Sequence, residues 1–281
     1  SLRGKIAFLN KPMRATARTT GSAYGEAVGQ RTRGAREAVK HGAVAVIVRS
    51  MSTKQDDNPH TGAMSYDEGG EKIPAAALGL ISADKLSAAL KAGAVRVTLE
   101  IEAETLPDVE QWNVVGEIPG TDLAEELIVV GGHLDAWGTG VGAHDDGAGV
   151  VQSIEAARLL LKEGHRPRRT IRVVLFANEE NGLAGGRGYA ERHGPGGKHF
   201  LAMETDSGAF GPRGIGLSRP RDVIDRLQGL GFPLAAVGAE RLFAGGGGAD
   251  IGPLRDYGCF VSSLKVNDER YFDVHHSAID T

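Results

Sequence analysis

The sequence contains few of the residues that mark disulfide-rich, membrane-spanning or nucleic-acid-binding proteins. It has one cysteine in 281 residues, so no disulfide can form within the chain. It has no run of 18 apolar residues, which excludes a membrane-spanning helix in this sequence. The net charge of −4 argues against a partner such as a nucleic acid or an anionic membrane surface. These absences leave a globular chain that is long enough to bury a sizeable core.

Glycine, by contrast, is abundant. The chain has 41 glycines, about twice the average share of roughly 7%. They follow no three-residue period, which excludes a collagen helix, and the apolar runs between charged segments exclude a disordered chain. The lone cysteine, Cys259, lies in the apolar stretch GCFVSSLKV and is predicted to be a buried structural residue.

The first hundred residues predict a small β/α unit. Four short runs have the composition of strands, at 4–9, 43–50, 73–80 and 95–104. Helical spacing covers 21–41, and a second helix is predicted to be capped by Ser82 and stopped by Gly93. A polar loop at 51–73 separates two of these strands, and the segment 106–111 has the composition of a linker.

After the linker, strands alternate with helices. Strands are predicted at 112–120, 126–135, 169–180, 200–206 and 259–266, and helices at 145–164, 181–193, 221–231 and 249–258. This order predicts an α/β fold with a mostly parallel sheet sandwiched by helices. We therefore predict two domains, 1–106 and 107–281. In such sheets, ligands bind at the carboxyl ends of the strands.

Acidic and imidazole side chains follow the strands of the second domain where each strand ends. They are His133, Asp135, Asp145, Asp146, Glu179, Glu180, Asp206, His275 and His276. No lysine or arginine stands among them, and carboxylates that converge in a partly desolvated cleft repel one another by several kcal/mol. A metal ion would offset this repulsion. Histidine and carboxylate ligands without thiolates favour zinc, and their number suits two ions that share a bridging carboxylate.

Each of these residues has a plainer explanation when it is taken alone. Residues 133–135 are typical of a surface turn, and residues 145–146 are typical of a helix N-cap that complements the macrodipole. Residues 178–181 suit a solvated loop, Asp206 suits a turn, and the neighbouring histidines at 275–276 suit chance. Because all of them follow strand ends, the sequence favours one metal centre.

The other histidines lie apart from this set. Those predicted to be surface residues are His41, His60, His165, His193 and His199. His144 adjoins Asp145, and the sequence leaves open whether it supports the metal centre or lies on the surface.

Five motifs occur in a recognisable order, namely GGHLDAW, GAHDDGAGV, FANEENGLAGG, METDSG and HHSAIDT. Together they resemble the co-catalytic di-zinc exopeptidases, and the chain is similar to the carboxypeptidase Q-like branch over nearly its whole length. Residues 1–106 resemble the protease-associated insert of that branch. The resemblance implies a zinc-dependent metallopeptidase that hydrolyses short peptides, in particular dipeptides with free termini.

Two parts of the family pattern are missing from this sequence, namely a segment before the insert and a final helix. We therefore expect a chain that is truncated at both ends, with a signal peptide upstream and a secreted or periplasmic location. The expected partners are a short peptide substrate and a second copy in a homodimer, with no nucleic acid and no membrane.

The resemblance also implies which residues hold two zinc ions per chain. His133 and Asp206 would hold the first ion, and Asp145 would bridge both ions. Glu180 and His276 would hold the second ion. His276 is preferred over its neighbour because the family ligand directly precedes the segment 277–281.

Further roles follow from the same resemblance. Glu179 would be the general base, and Asp135 would orient the imidazole of His133 through its carboxylate. His275 would contact either the substrate or the oxyanion that forms in the reaction. A cis peptide bond is expected between residues 145 and 146. Gly246 and Gly247 lie in a loop with bare backbone N–H groups, which suits either a contact with a substrate carboxylate or carbonyl, or a flexible hinge.

Two other functions remain as alternatives. One is a catalytically silent binding module of the transferrin-receptor type, which looks similar but lacks intact ligands. The other is a glutaminyl cyclase, which holds a single zinc ion. The complete ligand set in this sequence favours the exopeptidase.

Overall fold

The chain divides into two compact units that alternate along the sequence. The structure is a computed structural model that describes residues 1–229 and 233–281. Unit 1 comprises Ser1–Val109, Trp137–Val141 and Glu269–Thr281, and unit 2 comprises Glu110–Ala136 and Gly142–Asp268. The likeness of residues 1–106 to a protease-associated domain stays a prediction.

Unit 1 contains a three-stranded parallel sheet in the order β1-β2-β3. Its strands are β1 (Ile6–Leu9), β2 (Ala45–Arg49) and β3 (Ala75–Leu78), and its helices are α1 (Thr20–Ala27), α2 (Gly29–Thr32), α3 (Gly34–Val39) and α4 (Leu80–Ala92). β2 is buried along its whole length because it is the central strand. Alanines of α3 pack against this sheet around Val46 and Val48.

Three expectations for unit 1 differ from the structure. The helix expected over 21–41 is three short helices, interrupted at Val28 and Arg33. Gly79, not Ser82, is the N-cap of α4, and Ser82 instead donates its hydroxyl to Asp57 over 2.6 Å. The strand expected over 95–104 is wrong, because these residues pair with no strand of the described part of the chain and are mostly exposed. Alternation alone does not form a strand without a partner for its backbone.

Unit 2 contains, in its described residues, a seven-stranded sheet in the order β4-β6-β5-β7-β10-β8-β9. Its strands are β4 (Val114–Ile118), β5 (Leu123–His133), β6 (Arg169–Phe176), β7 (Lys198–Glu204), β8 (Pro212–Leu217), β9 (Arg241–Ala244) and β10 (Phe260–Val266). The α-helices of this unit are α5 (Ala148–Lys162), α6 (Ala184–His193) and α7 (Arg221–Gly229). The last residues of the helix expected over 221–231 lie outside the described residues.

The central strands of this sheet run parallel. β6, β5, β7 and β10 are parallel neighbours, whereas β4 and β8 pair antiparallel with their inner neighbours. The predicted α/β class with a mostly parallel central sheet flanked by helices is confirmed. The helix expected over 249–258 is a 3-10 helix, Gly252–Tyr257, and a short helix, α8 (Tyr271–Val274), follows in unit 1. Among the described residues, no helix is both long enough and apolar enough to cross a bilayer.

Cys259 lies in the apolar core of unit 2, as its apolar setting predicts. It packs with residues such as Val129, Phe176 and Leu254, and burial raises the pKa of its thiol to about 11. The thiolate is the nucleophilic form of cysteine. The folded chain should therefore react slowly with thiol reagents.

We expect iodoacetamide to label Cys259 in the folded chain at least about 100-fold more slowly than in the urea-unfolded chain at the same pH. A rise of the pKa from 9.0 to about 11 lowers the thiolate fraction by about this factor. Because the chain has one cysteine, the mass of the labelled protein measures the rate directly. Equal rates in the two states would contradict the buried position.

Candidate metal centre

His133 and Asp206 are placed at one edge of the sheet by two neighbouring parallel strands. His133 is the last residue of β5, and Asp206 follows the end of β7 by two residues. The register pairs Gly131 of β5 with Glu204 of β7, so the two strands end at the same level. Both side chains therefore emerge at the carboxyl edge of the sheet, as the sequence predicts.

Asp145 reaches the same edge from the segment that leads into α5. It lies in a single π-helical turn, Ala143–Gly147, with φ −122° and ψ 80°, outside helical values. The peptide bond between Asp145 and Asp146 is cis, which confirms the expectation. The helix expected from residue 145 therefore begins as α5 only at Ala148.

His133, Asp145 and Asp206 form a compact group around the buried imidazole. Nε2 of His133 lies 3.3 Å from Oδ1 of Asp145 and 3.8 Å from Oδ1 of Asp206. One ligand atom from each residue lies within 4.8 Å of the others. Burial lowers the pKa of His133, but the two carboxylates outweigh it and hold this pKa well above its ordinary value. The site thus favours positive charge between these side chains.

The imidazole of His133 is fixed through its other nitrogen. Nδ1 donates to the backbone oxygen of Asp135 over 2.8 Å, so Nε2 is the nitrogen that would bind a metal ion when the ring is neutral. Nε2 is fully buried and faces the carboxylates of Asp145 and Asp206. One imidazole nitrogen and two carboxylates that face a common point are a donor set that fits zinc.

Asp135 acts on the site through two different groups. The sequence predicted that its carboxylate orients His133, but Oδ1 lies 3.9 Å from Nδ1, and the carbonyl makes the hydrogen bond instead. The carboxylate accepts the backbone N–H groups of Glu179 over 2.9 Å and Glu180 over 3.1 Å. Asp135 therefore supports both the imidazole and the segment that follows β6.

Glu179 is half-buried near this group of charges. Burial raises its pKa to about 8, with nearby His133 opposing the rise and Asp206 adding to it. A carboxyl group with a raised pKa in such a setting is typical of a functional site. The backbone N–H of its neighbour Glu180 also donates to the carboxylate of Asp135.

Asp146 has a structural role that the sequence did not assign. Its carboxylate accepts the N–H of His133 over 3.2 Å and the N–H of Gly149 over 3.0 Å. A Cβ atom at Gly132 or Gly149 would overlap this carboxylate. Two glycines of the motifs are thus required by the close approach of a buried side chain.

Two further buried carboxyl groups, Glu204 and Asp250, were missed by the sequence reasoning. Glu204 accepts the N–H groups of Ala249 over 2.9 Å and Ile251 over 3.0 Å, and burial raises its pKa to about 7. Asp250 is 1% exposed, and burial raises its pKa to about 8. The signal that points to Glu204 is its position two residues before Asp206 in the strand predicted over 200–206, where alternate residues share a face.

Gly246 and Gly247 lie in the loop that follows β9. A Cβ at Gly246 would overlap the backbone of Gly216 in β8, and Gly247 has a φ of +132°. Packing and conformation therefore account for both glycines. Their contact with substrate stays a prediction.

His275 and His276 follow α8 in unit 1, with their rings stacked at 3.7 Å. Nδ1 of His276 donates to the carbonyl of Thr61 over 3.1 Å, and the N–H of Thr61 donates to the carbonyl of His276 over 2.9 Å. Arg31 donates to the same Thr61 carbonyl over 2.8 Å. Within unit 1, these contacts orient the His276 ring so that Nε2 is the nitrogen suited to a metal ion.

The prediction that the remaining histidines lie on the surface is wrong for two of them. His60 is 1% exposed and His199 is 5% exposed, and burial lowers the pKa of each to about 4. His199 hydrogen-bonds with the hydroxyl of Tyr189 over 3.1 Å. Their polar sequence surroundings hid this burial.

Comparisons with known proteins agree on one family. The model of peptidase family M28 matches residues 113–281. Carboxypeptidase Q from Mus musculus is 38% identical over 99% of this chain, and carboxypeptidase Q from Homo sapiens is 36% identical over 99%. The chain spans 58% of the length of each of these relatives.

Solved structures are similar over the whole chain. The crystal structure of a peptidase M28 precursor from Shewanella amazonensis has a TM-score of 0.86 and 36% identity, and it covers 100% of this chain and 64% of its own. A zinc aminopeptidase from Bacillus subtilis has a TM-score of 0.61 at 19% identity, covering 100% of this chain and 65% of its own, and shares the fold.

Proposed function

Because the chain belongs to peptidase family M28, we propose that it is a zinc-dependent exopeptidase that hydrolyses short peptides, in particular dipeptides with free termini. The observation that carries this proposal is the fully buried Nε2 of His133, which faces the carboxylates of Asp145 and Asp206 at 3.3 and 3.8 Å. Such an arrangement is stable when a cation lies between the groups. The names of the relatives, carboxypeptidase Q and zinc aminopeptidase, support the same class.

We assign two zinc ions per chain. His133, Asp145 and Asp206 would hold the first ion. The family resemblance adds Glu180 and His276 for a second ion, with Asp145 shared. When bound, zinc supplies the positive charge that lowers the pKa of a water molecule towards neutrality and polarises a carbonyl.

Glu179 would move the proton. The side chain takes a proton from the attacking water as the oxygen adds to the scissile carbonyl carbon. It then delivers this proton to the amine nitrogen as the carbon–nitrogen bond breaks. Cationic charge nearby favours the carboxylate form of Glu179, which offsets the burial that raises its pKa to about 8. Asp135 holds the backbone of this residue in place through its N–H.

The secreted or periplasmic location and the homodimer expected from the resemblance are part of this proposal. The relatives extend well beyond the region that they share with this chain.

The proposal is tested with a panel of dipeptides that have free or blocked termini, together with metal analysis. We expect hydrolysis of dipeptides with free termini, two zinc ions per chain, loss of activity with 1,10-phenanthroline and recovery on adding zinc. The isomer 1,7-phenanthroline, which chelates poorly, is the matched control. His133→Ala should lose zinc and activity, whereas His165→Ala, at an exposed position, should lose neither.

Other outcomes would overturn the exopeptidase. One zinc ion per chain with cyclisation of an N-terminal glutamine peptide would identify a glutaminyl cyclase. Absence of both bound zinc and hydrolysis would favour the binding module.

A further inference from the structure

We propose that a stacked pair of side chains, His144 and Phe210, sets the spacing of the zinc ligands Asp145 and Asp206. The inference rests on the proposed function, because it concerns the affinity of the site for zinc. Both rings belong to unit 2, and each is close in sequence to one ligand. They would be positioning residues that act through the two carboxylates.

The spacing needs support because both ligands lie beyond the ends of their strands. Among the described residues, the last backbone hydrogen bond that ties the end of β7 to β5 before Asp206 runs from the N–H of Thr205 to the carbonyl of Gly131. Asp145 lies twelve residues after the last residue of β5. Zinc accepts ligand distances within only about 0.2 Å of its preferred values. A contact between the two segments outside the sheet would therefore help to fix the distance between the two carboxylates.

The His144–Phe210 pair supplies this contact. The two ring centroids are 4.9 Å apart and the planes differ by 8°, which is a stacked arrangement. Nδ1 of His144 also accepts the N–H of Ala209 over 3.2 Å. One face and one nitrogen of the same imidazole thus join the segment that carries Asp145 to the segment that carries Asp206.

The backbone beneath the pair fits the rings closely. Gly208 has a φ of +83°, in the region that favours glycine. A Cβ atom there would lie 2.7 Å from the Phe210 ring and 2.9 Å from Nδ1 of His144. Only a glycine fits at position 208, because any side chain there would overlap both rings. An incidental surface contact would not need this fit.

Removing either ring should weaken zinc binding more than folding. Residues that support metal ligands typically contribute a factor of about 10–100 in metal affinity. Both rings are half-buried, so their loss affects the core little. We therefore expect the zinc dissociation constant to rise by about 10–100-fold in His144→Ala and in Phe210→Leu. The double variant should lose no more than His144→Ala alone, because His144→Ala already removes the stack together with the hydrogen bond to Ala209.

The experiment measures the zinc dissociation constant by competition with a chromogenic chelator, and the visible spectrum of the cobalt-substituted protein. Phe210→Tyr, which keeps the stack, should restore wild-type affinity and spectrum. Phe243→Leu, at another half-buried phenylalanine on the edge strand β9, is the matched control and should change neither. Thermal melting of each variant checks that it is folded.

Wild-type zinc affinity and cobalt spectra in both His144→Ala and Phe210→Leu would overturn the inference while leaving the proposed function intact. Wild-type protein that binds no zinc would instead overturn the proposed function, and this inference with it. A variant that loses zinc only because it is unfolded is identified by its melting curve, and the zinc dissociation constant of the other single variant, if folded, then decides the question.

Discussion

Replacing Glu179 with glutamine is expected to lower kcat by at least about 100-fold while zinc binding is retained. General acid–base catalysis typically contributes a factor of about 100–10,000, and the amide can neither accept nor return the proton. The backbone contact with Asp135 uses the N–H of residue 179, so the substitution leaves this anchor in place. The loss should therefore appear in kcat rather than in the metal content.

Steady-state kinetics on a hydrolysed dipeptide, together with zinc analysis of the same sample, measures this effect. Glu191→Gln removes the same charge at an exposed position on α6 and should leave both quantities unchanged. A Glu179→Gln variant that contains zinc and turns over at the wild-type rate would refute the assigned role of this residue.

Replacing Gly149 with alanine is expected to destabilise unit 2 by about 3 kcal/mol or more, and to reduce zinc content. Inserting extra atoms into a well-packed core typically costs about 1–3 kcal/mol, and here the new Cβ would overlap the backbone oxygen of Thr205 and the carboxylate of Asp146. The N–H of Gly149 also donates to Asp146 over 3.0 Å. Displacing this carboxylate would disturb its second contact, with the N–H of His133.

Chemical denaturation of Gly149→Ala and of the matched variant Gly188→Ala tests the prediction. Gly188 lies in α6, where a Cβ meets no described atom within 4 Å. Alanine in a helix interior gains about 0.5–1 kcal/mol over glycine, so this control should be slightly more stable than the wild type. Equal stability of Gly149→Ala and the wild type would contradict the tight packing around Asp146.

The central strands of the fold were predictable because they are long, apolar and rich in β-branched residues. β5 and β6 are examples, and their ends locate the metal centre. β8 was missed because the alternating glycines of Pro212–Leu217 hide the pattern, and β9 was missed because its four residues lead directly into a run of glycines. The segment 95–104 shows the opposite failure, in which a clear alternation finds no strand to pair with among the residues that the structure describes.

The metal centre was predictable only in part. The sequence placed His133, Asp145 and Asp206 at one sheet edge, and the structure brings these three together. The sequence could not show that the carbonyl of Asp135, and not its carboxylate, accepts the hydrogen bond from His133. That choice depends on the path of a turn, for which there is no sequence pattern. Asp250 was missed for a related reason, because its burial comes from tertiary packing around a glycine-rich loop.

The two hydrogen-bonding groups of Asp135 have a consequence for motion in the site. Its carbonyl holds the imidazole of His133, and its carboxylate holds the main chain of Glu179 and Glu180. His133 ends β5, and Glu179 and Glu180 follow the adjacent strand β6, yet all three residues hydrogen-bond to the single residue Asp135. Small displacements of the imidazole proposed to bind zinc and of the carboxylate proposed to accept the proton should therefore be correlated, so that thermal fluctuation of the sheet edge moves them together and preserves the distance between them.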